Sequence, residues 1–362
     1  MGVELKFTDR ELPVSPVFIL FLAQLLTGEP CSGEIWADQL SEALAPPDAD
    51  LARRAAAAAQ VVMSSADGRD LLARAYGLLY SLLCGDLAPL QQLQSRFHFV
   101  GVIGIPRTGG SYLTAELYRA LGMLPEHVPD AVAHDSFPQF GPFDLQPGVN
   151  SWLLSLKTLA EYLTMVEVFF SERPRHGGRI VVPKKLTNSV YCGGLLPGVL
   201  KEALELVVTV RHPAAACAST YEKSGGLPPD GRFAVRSNIE QWCRRDLLGT
   251  GCDPLALSDL DYFGVYLKYW EQYHLSLAVS GLSACPRLRV VAYGRGAFQD
   301  LAQSYHDRFG SALPPAPFQV SDRARRLHPQ WLARAAPVVE RTAAAWRALG
   351  LPFPLDEVTA CW

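Results

Sequence analysis

Two apolar runs, each ending in a turn suited to an anion, limit this chain to a narrow set of folds. The first run is Phe97-His-Phe-Val-Gly-Val-Ile-Gly104, leading into Ile105-Pro-Arg107-Thr108-Gly109-Gly110-Ser111-Tyr112. The second is Leu206-Val-Val-Thr-Val210, followed by Arg211-His-Pro213, with Ser219 eight positions after the arginine. Each reads as a buried strand running into a turn that opens a helix. Glycine and hydroxyl residues in the first turn let backbone N–H groups close around a phosphate at the helix N-terminus. The second strand ends on a guanidinium, which can grip a phosphate bidentately. Apolar strands alternating with helices belong in a parallel sheet covered on both faces. Two phosphate sites on one sheet point to a nucleotide phosphorylated at both ends.

The first turn has the Gly104-to-Gly109 spacing of an ordinary P-loop, but Gly110 stands where that loop needs lysine. The cation of the turn is instead Arg107, ahead of the glycine pair. In a nucleoside triphosphatase the second strand would end in an aspartate that holds Mg²⁺. Here it ends in Arg211, which repels a metal and attracts an anion. The expectation is a site that works without a metal.

At these residues the chain resembles a known family. Pro106-Arg107-Thr108-Gly109-Gly110-Ser111 looks like the 5′-phosphosulfate loop of sulfotransferases, P-[KR]-[ST]-G-[TS]-[TS]. Arg211 and Ser219 resemble that family's 3′-phosphate motif, with the same spacing. The resemblance covers about residues 97 to 350. It implies a P-loop-like three-layer α/β sandwich around a central parallel sheet, with an N-terminal helical extension. The expected division is residues 1–94 for the extension and 95–362 for the sulfotransferase domain. It also implies an enzyme that moves a sulfuryl group from 3′-phosphoadenosine 5′-phosphosulfate to a hydroxyl or amine and releases the 3′,5′-bisphosphate.

The same resemblance assigns site residues. Arg107, Thr108, Gly109, Gly110, Ser111 and Tyr112 fall in the phosphosulfate loop, and Arg211 and Ser219 serve the 3′-phosphate. Tyr293 resembles an adenine-contacting tyrosine, although the acidic residues that follow it in the family are missing. Lys185, in Pro183-Lys184-Lys185, resembles a lysine of tyrosylprotein sulfotransferases that stabilises the transferring group. At the carboxyl end of a parallel strand it stands where α/β sheets bind ligands. The histidine that cytosolic members use after this strand is absent. The proton acceptor is therefore expected in Glu126 to Asp135, where His127 lies nearest the tyrosylprotein family's glutamate and His134 is next. A neutral imidazole suits that task near pH 7. The late cluster Arg323, Arg325 and Arg326 is read as a solvated face, and Trp242, Tyr266, Tyr269 and Trp270 as core.

The first 94 residues show helical spacing over Val17–Leu26, Leu51–Met63 and Asp70–Cys84, punctuated at Gly28-Glu-Pro30 and Pro46-Pro47. They carry no catalytic motif and read as a helical cap, a homodimer face or a docking surface for a carrier protein. Pro228 to Asp261 reads as an insert with an amphipathic helix. With 33 basic against 36 acidic residues, nothing points to nucleic acid. The 49% apolar content supports a large core. The eight cysteines form no C-x-x-C pair and no zinc spacing, as in a reduced cytoplasmic protein. Val17 to Leu26 is too short to span a bilayer, so no membrane span is expected. The acceptor is expected to be a small natural product or a carrier-linked intermediate. Two other readings stay open: a metal-dependent small-molecule kinase, and a non-catalytic nucleotide-binding protein.

Overall fold

The computed structural model describes residues 14–28, 49–135, 137, 138, 140, 151–223, 244–248, 250–253, 255–320 and 323–362. Most of the insert expected at 228–261, with Trp242, lies outside the described residues. So do Pro30, Pro46-Pro47, and residues 141–150 of the irregular stretch.

The longer elements, in chain order, begin with helices α1 Pro16–Thr27, α2 Ala49–Ser64, α3 Ala66–Cys84 and α4 Ala88–Arg96. Strand β1 Phe97–Ile103 leads to α5 Gly110–Ala120 and then α6 Ser151–Phe169. Next come β2 Arg175–His176, β3 Arg179–Lys185, β4 Leu204–Val210 and α7 Pro213–Lys223. The chain closes with α8 Tyr262–Val279, β5 Leu288–Ala292, α9 Arg295–Phe309 and α10 Trp331–Ala348.

The five strands form one sheet in the order β2-β3-β1-β4-β5. The pairs β3–β1, β1–β4 and β4–β5 are parallel, while β2 runs antiparallel to β3. The sheet is thus mixed, which corrects the all-parallel expectation. Two residues of an edge hairpin, turned by Gly177 and Gly178 at positive φ, leave no periodic signal to read.

Strand alternation splits the core in two. Val100 and Val102 point to the face covered by Leu113 and Leu117 of α5 and Phe298 and Leu301 of α9. Phe97, Phe99 and Ile103 point to the other face, where they join α6 and α8. That second cluster continues without a break into Phe18 and Phe21 of α1 and Leu78 of α3. The first helices therefore share a core with the sheet. Helix α1 starts on a proline, which needs no N–H partner in the first turn. Its preceding residue, Ser15, is tied to α6: Ser15 N donates to Glu161 at 3.0 Å and Lys157 donates to Ser15 Oγ at 2.9 Å. No single helix among the described residues is long and apolar enough to cross a membrane.

The strand order fixes where a ligand belongs. From β1 the chain leaves towards β3, and from β4 it leaves towards β5, on the opposite side. The connections diverge between β1 and β4, the point at the carboxyl ends of the strands where open α/β sheets form a ligand crevice. Both turns singled out in the sequence, after β1 and after β4, lie at this point.

Candidate functional site

The first turn is drawn tight by hydroxyl groups beneath it. Thr108 Oγ1 donates to Ile105 O at 2.7 Å and lies 2.8 Å from Thr209 Oγ1 of β4. Thr209 in turn reaches Ile103 O at 3.2 Å. This stitch joins β1 to β4 under the crevice. A methyl group at Gly104 would overlap both threonine hydroxyls, so only glycine fits. Gly109, at φ 86°, stands at the N-terminus of α5, and a side chain there would strike the Phe298 ring. Arg107, at φ 71°, is held in the left-handed region without being glycine, a strained conformation that surrounding bonds must fix.

Those bonds come from the second turn. Arg211 Nη1 donates to Arg107 O at 2.8 Å, and Arg107 Nε donates to Ser219 Oγ at 3.0 Å. Arg211 is buried, its guanidinium carbon 4.0 Å from the centre of the Tyr293 ring and its carbonyl accepting from Trp270 Nε1 at 3.0 Å. Arg107 is exposed. Two motifs far apart in sequence therefore form a single cationic rim. Arg107 turns towards Ser219 of α7. No side chain caps α5 at Gly109, so the first amides of the helix have no capping partner there, and the positive end of the helix dipole lies at the turn.

On the other flank of the loop stands Lys185. Alternation along β3 separates the lysine pair. Lys184 points to the α6 face, where it is buried, donates to Ala131 O at 2.8 Å and sits 4.6 Å from the Tyr162 ring centre. Burial pulls its pKa well below the usual lysine range, against the opposing pull of Asp135 and Asp130. Lys185 points to the α5 face, close enough that a Cβ on Gly110 would lie 3.5 Å from its Cε. Its ammonium meets Asp135 Oδ2 at 2.8 Å.

Asp135 entered the sequence reading only as the end of the segment expected to hold the proton acceptor, not as a partner of Lys185. A lone aspartate in a Pro- and His-rich loop gives no local sign that it will meet a lysine fifty positions on. Burial alone would push its carboxyl up, but the Lys185 ammonium and the His134 ring outweigh that and bring it down to about 2. His134 lies between Asp135 and the loop: its Nδ1 is 3.7 Å from Asp135 Oδ1 and its Nε2 3.3 Å from Ser111 Oγ. Of the two histidines expected as proton acceptors, His134 is thus beside Ser111 and Lys185. His127 stands exposed on the short turn Pro125–His127, outside this network.

Tyr112 and Tyr293 belong to an aromatic wall. Tyr112 donates its hydroxyl to Ala316 O at 2.7 Å, and its ring centre lies 4.7 Å from that of Phe318. Burial, helped by the nearby Glu116 charge, raises the Tyr112 phenol to about 12. Tyr293 contacts Phe298 and Phe318 with centroid distances of 5.5 and 5.1 Å. Phe298 and Phe318 were not singled out from sequence, because aromatic residues on a helix and in a loop read as ordinary core.

No protein-family model, no curated protein and no solved structure matches this chain. What the arrangement can do follows from its chemistry. Arg107 and Arg211 are joined at the turn that opens α5, and Lys185 lies alongside Gly110 in its first turn. The His134 imidazole stands beside the Ser111 hydroxyl. Such a site suits a small polyanion and a proton transfer next to it.

Proposed function

We propose that the chain is a P-loop-like sulfotransferase that uses 3′-phosphoadenosine 5′-phosphosulfate. The observation that carries the reading is the joining of the two motifs: Arg211 holds the Arg107 carbonyl, and Arg107 holds Ser219, so the two phosphate turns share one crevice. A nucleotide with phosphate groups at both ends of its ribose matches two cationic centres on adjacent strands. The amides of Gly110 and Ser111 cradle the 5′-phosphosulfate, and Arg211 with Ser219 takes the 3′-phosphate.

The reaction breaks the bond between sulfur and the bridging phosphate oxygen, and that oxygen keeps the electron pair. The acceptor oxygen forms the new bond to sulfur and gives up its proton. Lys185, alongside Gly110, supplies fixed positive charge where the leaving oxygen becomes negative. His134 Nε2, facing Ser111, takes the proton. An acceptor amine would react in the same way. The acceptor is a small molecule or a carrier-linked intermediate, which enters over the loop bearing His134. No step needs a metal: Gly110 occupies the position of the P-loop lysine, and Arg211 stands at the strand end that would otherwise carry a metal-binding aspartate.

The test is release of label from ³⁵S-donor in the presence of candidate acceptors. Transfer to any hydroxyl or amine, or donor hydrolysis that stops in Lys185→Ala, supports the reading. A protein that binds the bisphosphate and releases no label to any acceptor or to water is a binding protein instead.

A further inference from the structure

The Asp135 carboxylate has two claimants. Its Oδ2 is 2.8 Å from Lys185 Nζ, while its Oδ1 is buried and lies 3.7 Å from His134 Nδ1, and the Thr187 hydroxyl adds a weaker, uncharged hydrogen bond to the carboxylate. A charged hydrogen bond to one oxygen draws electron density from the whole carboxylate, so whatever Lys185 takes is lost to His134. Lys185 also has a second destination. Its Cε lies over Gly110, at the uncapped end of α5, where an anion would sit.

We propose that Asp135 is shared between Lys185 and His134, and that an anion bound on the Gly109–Ser111 turn draws Lys185 away and leaves the carboxylate to His134. With Lys185 on the anion, Oδ1 can close on the Nδ1–H of His134. That fixes the tautomer with Nε2 as the free base, aimed at the Ser111 hydroxyl and the mouth of the turn. Asp135 is then a positioning residue that arms the base only when the donor is in place. A site that gains its proton acceptor on donor binding deprotonates acceptor only when a sulfuryl group is ready to receive it. The proposal depends on the sulfuryl-transfer reading for the identity of the anion alone.

The groups facing this pair are few. Lys185 and Lys184 come from β3, Thr187 from the turn after it, Asp130 from the turn Asp130–Ala133, and Ser111 from α5. Burial favours protonation of Asp135, and the neighbouring charges oppose it. Removing Lys185 from the carboxylate without replacement therefore pushes a proton into the Asp135–His134 pair.

The test is the ring titration of His134 in the full chain, followed by proton NMR and assigned by the signal missing in His134→Gln. Lys185→Met should raise the His134 midpoint by roughly half a pH unit or more, and the rise should disappear in the Asp135→Asn background. An equal rise in both backgrounds means that Lys185 acts on His134 directly, and it overturns the shared carboxylate. If Asp135→Asn does not fold, two other proteins decide the matter. Saturating 3′-phosphoadenosine 5′-phosphate should raise the midpoint by more in the wild type than in Lys185→Met, where only the direct pull of the bound phosphate on the imidazole remains. An equal rise in the two overturns the proposal. If that nucleotide binds neither protein, the sulfuryl-transfer reading fails, and inorganic sulfate as the anion makes the same comparison of the two proteins, an equal rise again overturning the shared carboxylate.

Discussion

Arg107 and Ser219, separated by 112 positions, meet through a hydrogen bond of 3.0 Å from Nε to Oγ. The bond turns the cation of the first loop towards the helix that follows the second. Ser219→Ala should release it. Affinity for 3′-phosphoadenosine 5′-phosphate should fall by about 0.5–1.5 kcal/mol, while adenosine 5′-phosphate binds as before. Calorimetry with the two nucleotides checks this. An equal loss for both would place Ser219 away from the 3′-phosphate.

In the proposed site Arg211 has two tasks, and its removal should register in two measurements. Arg211→Ala should weaken bisphosphate binding by about 2–4 kcal/mol, as for a buried charged partner of a phosphate. It should also lower the melting temperature without ligand, because the Arg107 carbonyl loses its donor. Arg211→Lys should restore little of the affinity, since an ammonium cannot make the bidentate contact. A loss of affinity under about 0.5 kcal/mol in Arg211→Ala would remove the arginine from the phosphate site.

Gly109 combines positive φ with a wall. Alanine there must adopt φ near 86° or shift the turn, and its methyl meets Phe298. Gly109→Ala should cost about 1–3 kcal/mol of stability. Gly109→Ala with Phe298→Leu should recover part of that loss. Chemical denaturation measures both. A neutral Gly109→Ala would mean that the turn is slack, and the rigid anion cradle would be lost with it.

At the other end of the sheet, Glu205 provides a pH signature of the fold. Its burial would raise the carboxyl, but His98 and Arg308 outweigh that and hold it at about 2, below the ordinary 4.5. A depressed folded-state value means that the stabilisation is complete above about pH 4.5 and drains away as pH falls towards 2. Glu205→Gln should cost roughly 2–3 kcal/mol at pH 7 and flatten the acid limb of the stability curve. An acid limb of unchanged slope in the variant would show that other carboxylates govern acid unfolding.

How much of this could be read in the sequence depended on how local the signal was. The strand Phe97–Ile103, its turn, and the strand ending at Arg211 were legible, because apolar runs, glycines and a terminal cation all lie within a few residues of one another. The Lys184-Lys185 pair was half legible. Sequence suggested a ligand-facing Lys185, but not that alternation would bury Lys184 against Tyr162. Asp135 was legible only as the end of the segment expected to hold the proton acceptor, since its partner Lys185 stands on β3 and only the fold brings them together. The edge strand Arg175–His176 was too short to show a period, and helix Ala88–Arg96, opening on a proline beside the first strand, was hidden by its brevity. The shared core of the first helices and the sheet also had no local sign. The helices α1 and α3 were readable, but their contacts with α6 are set by packing alone.

The most direct measurement is calorimetry of 3′-phosphoadenosine 5′-phosphate with the full chain in EDTA, beside Mg²⁺-ATP as the competitor. The crevice between β1 and β4 predicts one bisphosphate per chain, bound equally well with chelator and with Mg²⁺, and not displaced by Mg²⁺-ATP at matched concentration. Binding that vanishes in EDTA, or a preference for Mg²⁺-ATP, would contradict it.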